Sequence, residues 1–187
     1  MNIQNDQIEK ILECFDKTSL WISLRAICEN PQHELRVERP FVDVGQVKEM
    51  DAALLGLSAM EPGSVILTER MAHFSSHGKK WRFLKVYDRR IVRYSQTQAN
   101  LFVAWFIRNS LKLLKTLSYQ IVSDEDLMGY FEHFQRIIRR LNGLLSLLPM
   151  EIRQSQLTEV PLDNQILQFD PRYHVILETW LEMEGHC

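Results

Sequence analysis

The sequence predicts an α+β protein: a small antiparallel N-terminal sheet with short helices, followed by a long antiparallel helical hairpin and a C-terminal helix. Apolar residues form 45% and charged residues 25% of the 187 positions, the balance of a globular chain with a sizeable core. Before residue 95, short β-branched and aromatic runs lie between turn residues, as strands do. After it, apolar residues recur at spacings of three and four, as on helices. We expect residues 1–95 to form an N-terminal α/β part and residues 96–187 the hairpin and closing helix, in one compact unit.

Two short helices are predicted at the start of the chain. The first covers residues 4–17, where the apolar residues at positions 8, 11, 12 and 15 share one face. The second covers residues 19–29, with Ser19 as its N-cap and Asn30-Pro31 as its end. Residues 35–44 are then extended, with Pro40 at a sheet edge or a bend because proline has no N–H to donate.

A small antiparallel sheet is predicted over residues 64–94. It follows a short helix at 47–59 that ends at the turn Glu61-Pro62-Gly63. The segment 77–80 is typical of a hairpin tip, and the apolar runs at 65–67, 81–87 and 91–94 are typical of strands. We expect many of the basic residues of these strands to lie on the face opposite the apolar positions.

Three helices are predicted in the second half of the chain. Residues 97–119 are apolar nearly all round at first and amphipathic later, which indicates burial on several sides. Residues 123–148 repeat apolar positions at spacings of three and four, with Ser123 as N-cap and Gly143 allowing a close helix approach. A polar connector over about 150–165 leads to a last helix that begins at Asp170-Pro171, an N-cap followed by proline at the first helical position.

The charge of the chain is strongly asymmetric. The formal net charge is −2, yet residues 79–115 contain ten basic residues and a single acid, Asp88. Such a stretch is solvated and paired with the acidic flanks, or it contacts nucleic acid or an acidic protein surface. Aromatic residues alternate with cations over 79–87, so these rings either stack on bases or face the core. The candidate residues for binding nucleic acid or a partner are Lys79, Lys80, Arg82, Lys85, Arg89, Arg90 and Arg93.

Several common kinds of catalytic site have no sequence signature in this chain. There is no Gly-rich phosphate loop and no Gly-x-Ser-x-Gly elbow. No Asp-x-Lys or Glu-x-Lys tripeptide is present to hold Mg²⁺ and a phosphate as nucleases do. His73 and His77 have the spacing of two helical metal ligands but lie in the predicted sheet, without nearby cysteine or acid apart from Glu69. We predict no catalytic residue, no metal site and no cofactor.

The cysteines and the N-terminus indicate a cytoplasmic protein. Cys14, Cys28 and Cys187 cannot form a disulfide framework, and we expect the first two to be buried and unreactive. The first residues lack the basic and apolar regions of a signal peptide. The all-apolar run over 101–107 is too short to span a bilayer.

Three segments resemble a known family. Residues 89–107, RRIVRYSQTQANLFVAWFI, resemble the opening of the central helix in McrC-like subunits of modification-dependent restriction systems. Residues 39–44 with 61–63 resemble the upstream part of the poorly characterised domain that precedes a PD-(D/E)xK nuclease in this family. Residues 165–173, QILQFDPRY, resemble the motif that opens the next helix. The matching positions with expected structural roles are Asn100, Phe102, Val103, Arg172 and Tyr173.

The resemblance implies a non-catalytic module that docks on a partner. In the family that partner is an AAA+ GTPase ring, and a nuclease begins close to the position where this chain ends at Cys187. We therefore expect the pre-nuclease part alone, with an AAA+ GTPase-type motor subunit or a separate PD-(D/E)xK nuclease as partner. The family usually has Glu where Ala99 stands, so the polar role of that carboxylate is absent. The alternative function is a nucleic-acid-binding accessory protein that uses the basic 79–93 segment on DNA.

Overall fold

The computed structural model describes residues 5–121 and 125–185 and confirms the α+β class. It contains two compact units, which we call the helical unit (Met1–His33 with Ser95–Cys187) and the strand unit (Glu34–Tyr94). The expected division grouped residues 1–33 with the sheet. In the structure these residues belong to the helical unit, because the apolar face of each N-terminal helix contributes to the same core as the C-terminal helices.

The order of elements in the described residues is α1 (Asn5–Asp16), α2 (Thr18–Glu29), β1 (Glu34–Glu38), β2 (Phe41–Asp43), α3 (Ala52–Met60), β3 (Val65–Leu67), β4 (Phe74–Ser76), β5 (Lys79–Phe83), β6 (Lys85–Tyr87), β7 (Arg90–Tyr94), α4 (Gln98–Ile121), α5 (Phe131–Leu147), α6 (Met150–Gln154), α7 (Gln165–Phe169) and α8 (Pro171–Glu184). Short 3-10 helices occur at Val44–Gln46 and Glu125–Tyr130.

The predicted helical hairpin is present as α4 and α5. The C-terminal part of α4, at Lys115 and Ser118, lines the same surface depression as Phe131 and Gln135 at the start of α5, so the two helices are antiparallel. Their apolar stripes meet because residues three and four positions apart share one helix face. Both helices contribute almost fully buried side chains to one core, among them Phe102, Phe106 and Leu114 of α4 and Phe134 and Leu141 of α5.

The start and the interior of the second hairpin helix differ from the prediction. Helix α5 begins at Phe131, and the turn before it is a 3-10 helix. The predicted N-cap Ser123 lies outside the described residues. The expected close helix approach at Gly143 is wrong, because this residue is exposed and a Cβ built on it meets no atom within 4 Å. The connector at 150–165 is not entirely irregular, since it contains α6.

The closing helix begins where the sequence predicts. The Asp170 side chain accepts a hydrogen bond of 3.0 Å from the Arg172 backbone N–H, and Pro171 occupies the first helical position. The aspartate satisfies one of the N–H groups that a helix start leaves free, and proline has no N–H to lose there. Helix α8 then buries Tyr173, Ile176 and Leu177 in the core of the helical unit.

A long two-stranded antiparallel ribbon dominates the strand unit. Strand β1 pairs with β7, from Glu34 opposite Tyr94, and β2 pairs with β6, up to Asp43 opposite Lys85. Both ladders have the same register, so residues 34–43 run against residues 85–94 with an interruption at 39–40. The interruption lies at Pro40, whose carbonyl accepts from the Asp88 N–H at 2.9 Å but which has no N–H to return. We call residues 34–43 and 85–94 the ribbon.

The predicted single sheet over residues 64–94 is wrong in its pairing. A three-stranded sheet of order β3-β5-β4 is present, and its hairpin tip at His77 and Gly78 has the positive φ angles, 51° and 73°, typical of a two-residue turn. Strands β6 and β7 pair with upstream strands instead. The Ser64 carbonyl accepts from the N–H groups of both Leu84 and Lys85, at 2.7 and 3.3 Å, as in a β-bulge. This irregularity lies where pairing with β3 ends and pairing with β2 begins.

Helix α3 begins later than the predicted residue 47. The Asp51 side chain accepts a hydrogen bond of 2.8 Å from the Leu54 N–H and caps the helix at that point. The helix ends at Met60, before the predicted turn, and buries Leu54 and Ser58.

Candidate interaction surface

The seven predicted binding cations are distributed over the three sheets of the strand unit. Lys79, Lys80 and Arg82 lie on β5, Lys85 lies on β6, and the last three, Arg89, Arg90 and Arg93, lie on or beside β7. Successive strand residues face opposite sides of a sheet. Lys80 and Arg82 therefore share one side of β5, whereas Lys79 lies on the side of Trp81 and Phe83.

The structure separates these cations by their bonding. Arg90 donates from Nε to the Asp88 carboxylate at 2.7 Å, and Arg89 lies 3.9 Å from a Glu49 carboxylate oxygen. Within the described residues, the remaining five make no ion pair or side-chain hydrogen bond, and they are Lys79, Lys80, Arg82, Lys85 and Arg93. Arg90 therefore has a structural role. Four of the five others are exposed and available to an outside group, whereas Arg82 is half-buried and its Nε is buried.

Asp88 is the buried anchor of this region. Its side chain is fully buried, and its Oδ1 accepts hydrogen bonds from the N–H groups of Lys48 and Glu49, at 3.1 and 2.9 Å. The Glu49 backbone hydrogen bond and the Arg90 guanidinium hold the pKa of Asp88 below its ordinary value. The single acid of the basic stretch thus ties the loop before α3 to the ribbon.

Replacing Asp88 with asparagine is expected to make the strand unit less stable at neutral pH and to reduce its acid sensitivity. The folded-state pKa is lowered, so the stabilisation is complete above the unfolded-state value of about 3.9 and is lost as pH falls through the folded-state pKa. Thermal unfolding followed by Trp81 fluorescence between pH 7 and pH 3 tests this expectation, in variants that keep Trp81 as the only tryptophan. Asp43→Asn, an exposed aspartate on β2, is the control. Equal pH profiles for wild type and Asp88→Asn contradict the prediction.

The aromatic residues of β5 differ in their exposure. Phe83 is 6% exposed, and its ring lies 5.2 Å from that of Phe74, whereas Trp81 is half-buried opposite Leu67 and Phe74. Phe83 fits the expectation that the rings face the core. Trp81 retains accessible ring surface beside Lys79.

Sequence reasoning missed the upstream strand of the ribbon as part of a binding surface. Leu35, Val37 and Phe41 are 71%, 52% and 37% exposed, and Arg39 lies among them. The signal was the alternation of residues 35, 37, 39, 41 and 43, which places their side chains on one side of a strand. Which cations lie beside them depends on strand pairing, and no local pattern reveals it.

An apolar groove lies between α3 and the three-stranded sheet. Its volume is about 600 Å³, and its walls include Val44, Met50, Leu55, Phe74 and Phe83. His73 also lines this groove. Its Nδ1 accepts a hydrogen bond of 3.1 Å from the Phe83 N–H, so this histidine has a structural role. The groove can accept an apolar group.

The two resemblance motifs meet in the core of the helical unit. Asn100, at the start of α4, donates from Nδ2 to the carbonyl oxygens of Gln32 and Ser95, both at 2.7 Å. Its Oδ1 accepts from the Tyr173 hydroxyl at 2.5 Å, and the same hydroxyl accepts from the Gln32 N–H at 3.3 Å. Burial raises the pKa of Tyr173 to about 12, so the hydroxyl remains a donor at neutral pH. This network joins α4, α8 and the two chain segments that border the strand unit in sequence.

The other motif residues have packing and capping roles. Phe102 and Val103 are fully buried on α4, and the Phe102 ring lies 5.9 Å from Trp105. Arg172 pairs with Asp170, from Nη2 at 2.8 Å, and therefore supports the N-cap of α8 rather than contacting the hairpin. Of the two residues expected to anchor the last helix, Tyr173 makes the contact with α4.

The described residues include no cluster of three or more His, Cys, Asp or Glu side chains placed to hold a metal ion. Cys14 and Cys28 are buried, and burial raises their thiol pKa values to about 11 and about 12, so both are protonated at neutral pH. None of the helices in residues 5–121 and 125–185 is both long and apolar enough to cross a membrane.

Comparison of the chain with protein-family models, curated proteins and solved structures gives no match.

Proposed function

We propose that this chain is a non-catalytic interaction module of a McrBC-like restriction or anti-phage defence system. It docks on an AAA+ GTPase-type motor subunit, a PD-(D/E)xK nuclease, or both. The observation that carries this proposal is the surface of the strand unit, which exposes Leu35, Val37, Met60 and Met71 at 71%, 52%, 83% and 79%. Exposed apolar side chains in such number, beside cations without partners, mark surfaces that associate with other macromolecules.

The resemblance adds support through the Asn100–Tyr173 contact. These two residues belong to two separate motif segments and form a direct hydrogen bond of 2.5 Å. The contact gives a structural reason for both motifs to occur in the same chain. The proposal includes a cytoplasmic location, since Cys14 and Cys28 are free thiols of the kind found in reducing compartments.

We expect a neighbouring reading frame to encode an AAA+ GTPase, and co-expression with that protein tests the proposed function. We expect one complex in size-exclusion chromatography with light scattering, and faster GTP hydrolysis by the motor when the chain is added. Two separate species and an unchanged hydrolysis rate contradict the proposal.

A second candidate function is nucleic-acid binding through the basic 79–93 segment. Lys80 and Arg82, on one side of β5 without intramolecular partners among the described residues, favour it. A duplex of about 20 base pairs should then bind with an affinity that falls steeply with salt, because each phosphate contact releases counterions. The double variant Lys80→Glu with Arg82→Glu should abolish this binding. No binding of the wild type at about 50 mM salt would overturn this candidate.

A further inference from the structure

One side of the ribbon is more exposed than the other along its 85–94 strand, whereas every residue of β1 is exposed. From residue 85 to residue 94, odd-numbered side chains are exposed, apart from the half-buried Tyr87, whereas even-numbered ones are buried or half-buried. Cross-strand partners lie on the same side of a ladder, so the odd positions of the other strand belong to this side. We call it the outer face, and its residues are Leu35, Val37, Arg39, Phe41, Asp43, Lys85, Tyr87, Arg89, Ile91 and Arg93.

The outer face carries four basic residues and one acid, Asp43, which stands opposite Lys85. The common register places Arg39 opposite Arg89 in the interruption of the ladder. Like charges opposite each other destabilise a strand pair. Within residues 5–121 and 125–185, the one ion pair of Arg89 that could offset this repulsion is its 3.9 Å contact with Glu49. An anionic group from outside the strand unit is the natural partner for the two guanidinium groups.

Apolar cross-strand pairs border the arginines on both sides. Val37 stands opposite Ile91, and these side chains are 52% and 59% exposed. Phe41 stands opposite Tyr87, with their ring centroids 5.0 Å apart. From Val37 to Asp43 the outer face therefore has an apolar pair, a pair of arginines, a second apolar pair and the oppositely charged pair Asp43–Lys85. Aliphatic side chains gain by leaving water against other apolar groups, which a phosphate backbone does not offer.

We propose that the outer face of the ribbon docks a protein segment whose carboxylates lie between apolar side chains. One carboxylate is held between Arg39 and Arg89, and the Val37–Ile91 and Phe41–Tyr87 pairs bury the neighbouring apolar groups. This inference rests on the proposed function and names the surface and the chemistry of the partner. A duplex of DNA is the competing occupant, and the exposed aliphatic residues argue against it.

The test measures the affinity of the AAA+ GTPase of the neighbouring reading frame for matched variants of the full chain. The charge variant is Arg39→Glu with Arg89→Glu, and the apolar variant is Val37→Ser with Ile91→Ser. The control, Lys112→Glu with Lys115→Glu, makes the same charge change at two exposed lysines of α4 in the helical unit. All these side chains are at the surface, so circular dichroism should show wild-type folding.

We expect both ribbon variants to weaken binding on the order of tenfold or more, with only the charge variant changing the salt dependence, and the control to bind as the wild type. Binding that all three variants retain overturns the inference and leaves the proposed function in place. No binding by the wild type overturns the proposed function and this inference with it. Tight binding of a DNA duplex that is lost in the charge variant, with the GTPase still bound, overturns the choice of a protein partner.

Discussion

Replacing Phe134 with alanine is expected to lower the free energy of unfolding of the helical unit by about 4 kcal/mol. Phe134 lies on α5 with 0% exposure, in the core that α4 and α5 form together. The loss combines the transfer free energy of the ring with the cavity that the helices cannot close. Urea unfolding followed by far-ultraviolet circular dichroism measures it.

Tyr119→Ala is the control for this substitution. Tyr119 is an aromatic residue on α4 with 80% exposure, so its removal should change stability by no more than about 0.5 kcal/mol. Similar losses for the two variants would mean that the hairpin does not pack as described.

Replacing Asn100 with alanine is expected to cost about 3 kcal/mol. The side chain is fully buried, and its loss removes two donors and one acceptor at once. The carbonyls of Gln32 and Ser95 and the hydroxyl of Tyr173 would each lose a hydrogen-bond partner in a site of low polarity. An unsatisfied buried polar group costs more than a hydrogen bond contributes when both partners are present.

Tyr173→Phe isolates one part of this network. It removes the hydroxyl but keeps the ring, so we expect a smaller loss of about 1–2 kcal/mol. The double variant with Asn100→Ala should lose less than the sum of the two, because both single changes break the same 2.5 Å hydrogen bond. Thermal and urea unfolding of the four proteins provide the cycle. Strict additivity would contradict a direct coupling between the two motifs.

This network has a bearing on the proposed docking. Gln32 and Ser95 lie close to the two points at which the chain leaves the helical unit and returns to it. The hydrogen bonds from Asn100 hold both segments to the N-terminal end of α4. Asn100 variants change this network, whereas the ribbon variants do not. A loss of binding in an Asn100 variant should therefore be compared with its loss of stability, measured separately.

The helices were largely predictable from local patterns. The stripe that includes Phe134 and Leu141 predicted burial on one face, and Asp170-Pro171 predicted the first residue of α8. Both signals depend on residues within one or two turns of each other, which is the range over which helix geometry acts. Gly143 shows the limit of such reasoning, because the residue type does not tell whether a neighbouring helix is present.

The candidate surface was predictable only in part. The sequence shows that residues 85–93 are rich in cations, but it does not show that Arg90 is bonded to the buried Asp88. Nor does it show that Lys80, five positions before this segment, lies in a different ladder. Leu35, Val37 and Arg39 join the surface through partners 50 or more positions away in the sequence. A strand pattern specifies which residues share a side, whereas register and pairing arise from contacts distant in sequence.

Amino-acid order alone therefore established the α+β class, the positions of the main helices and the presence of a strongly basic segment. The tertiary structure established which strands pair, which cations make no ion pair within the described residues, and which apolar side chains remain exposed to water. The physical reason is the range of the forces involved. Helical periodicity and capping act within a few residues, but the outer face of the ribbon exists only once residues 34–43 have found residues 85–94.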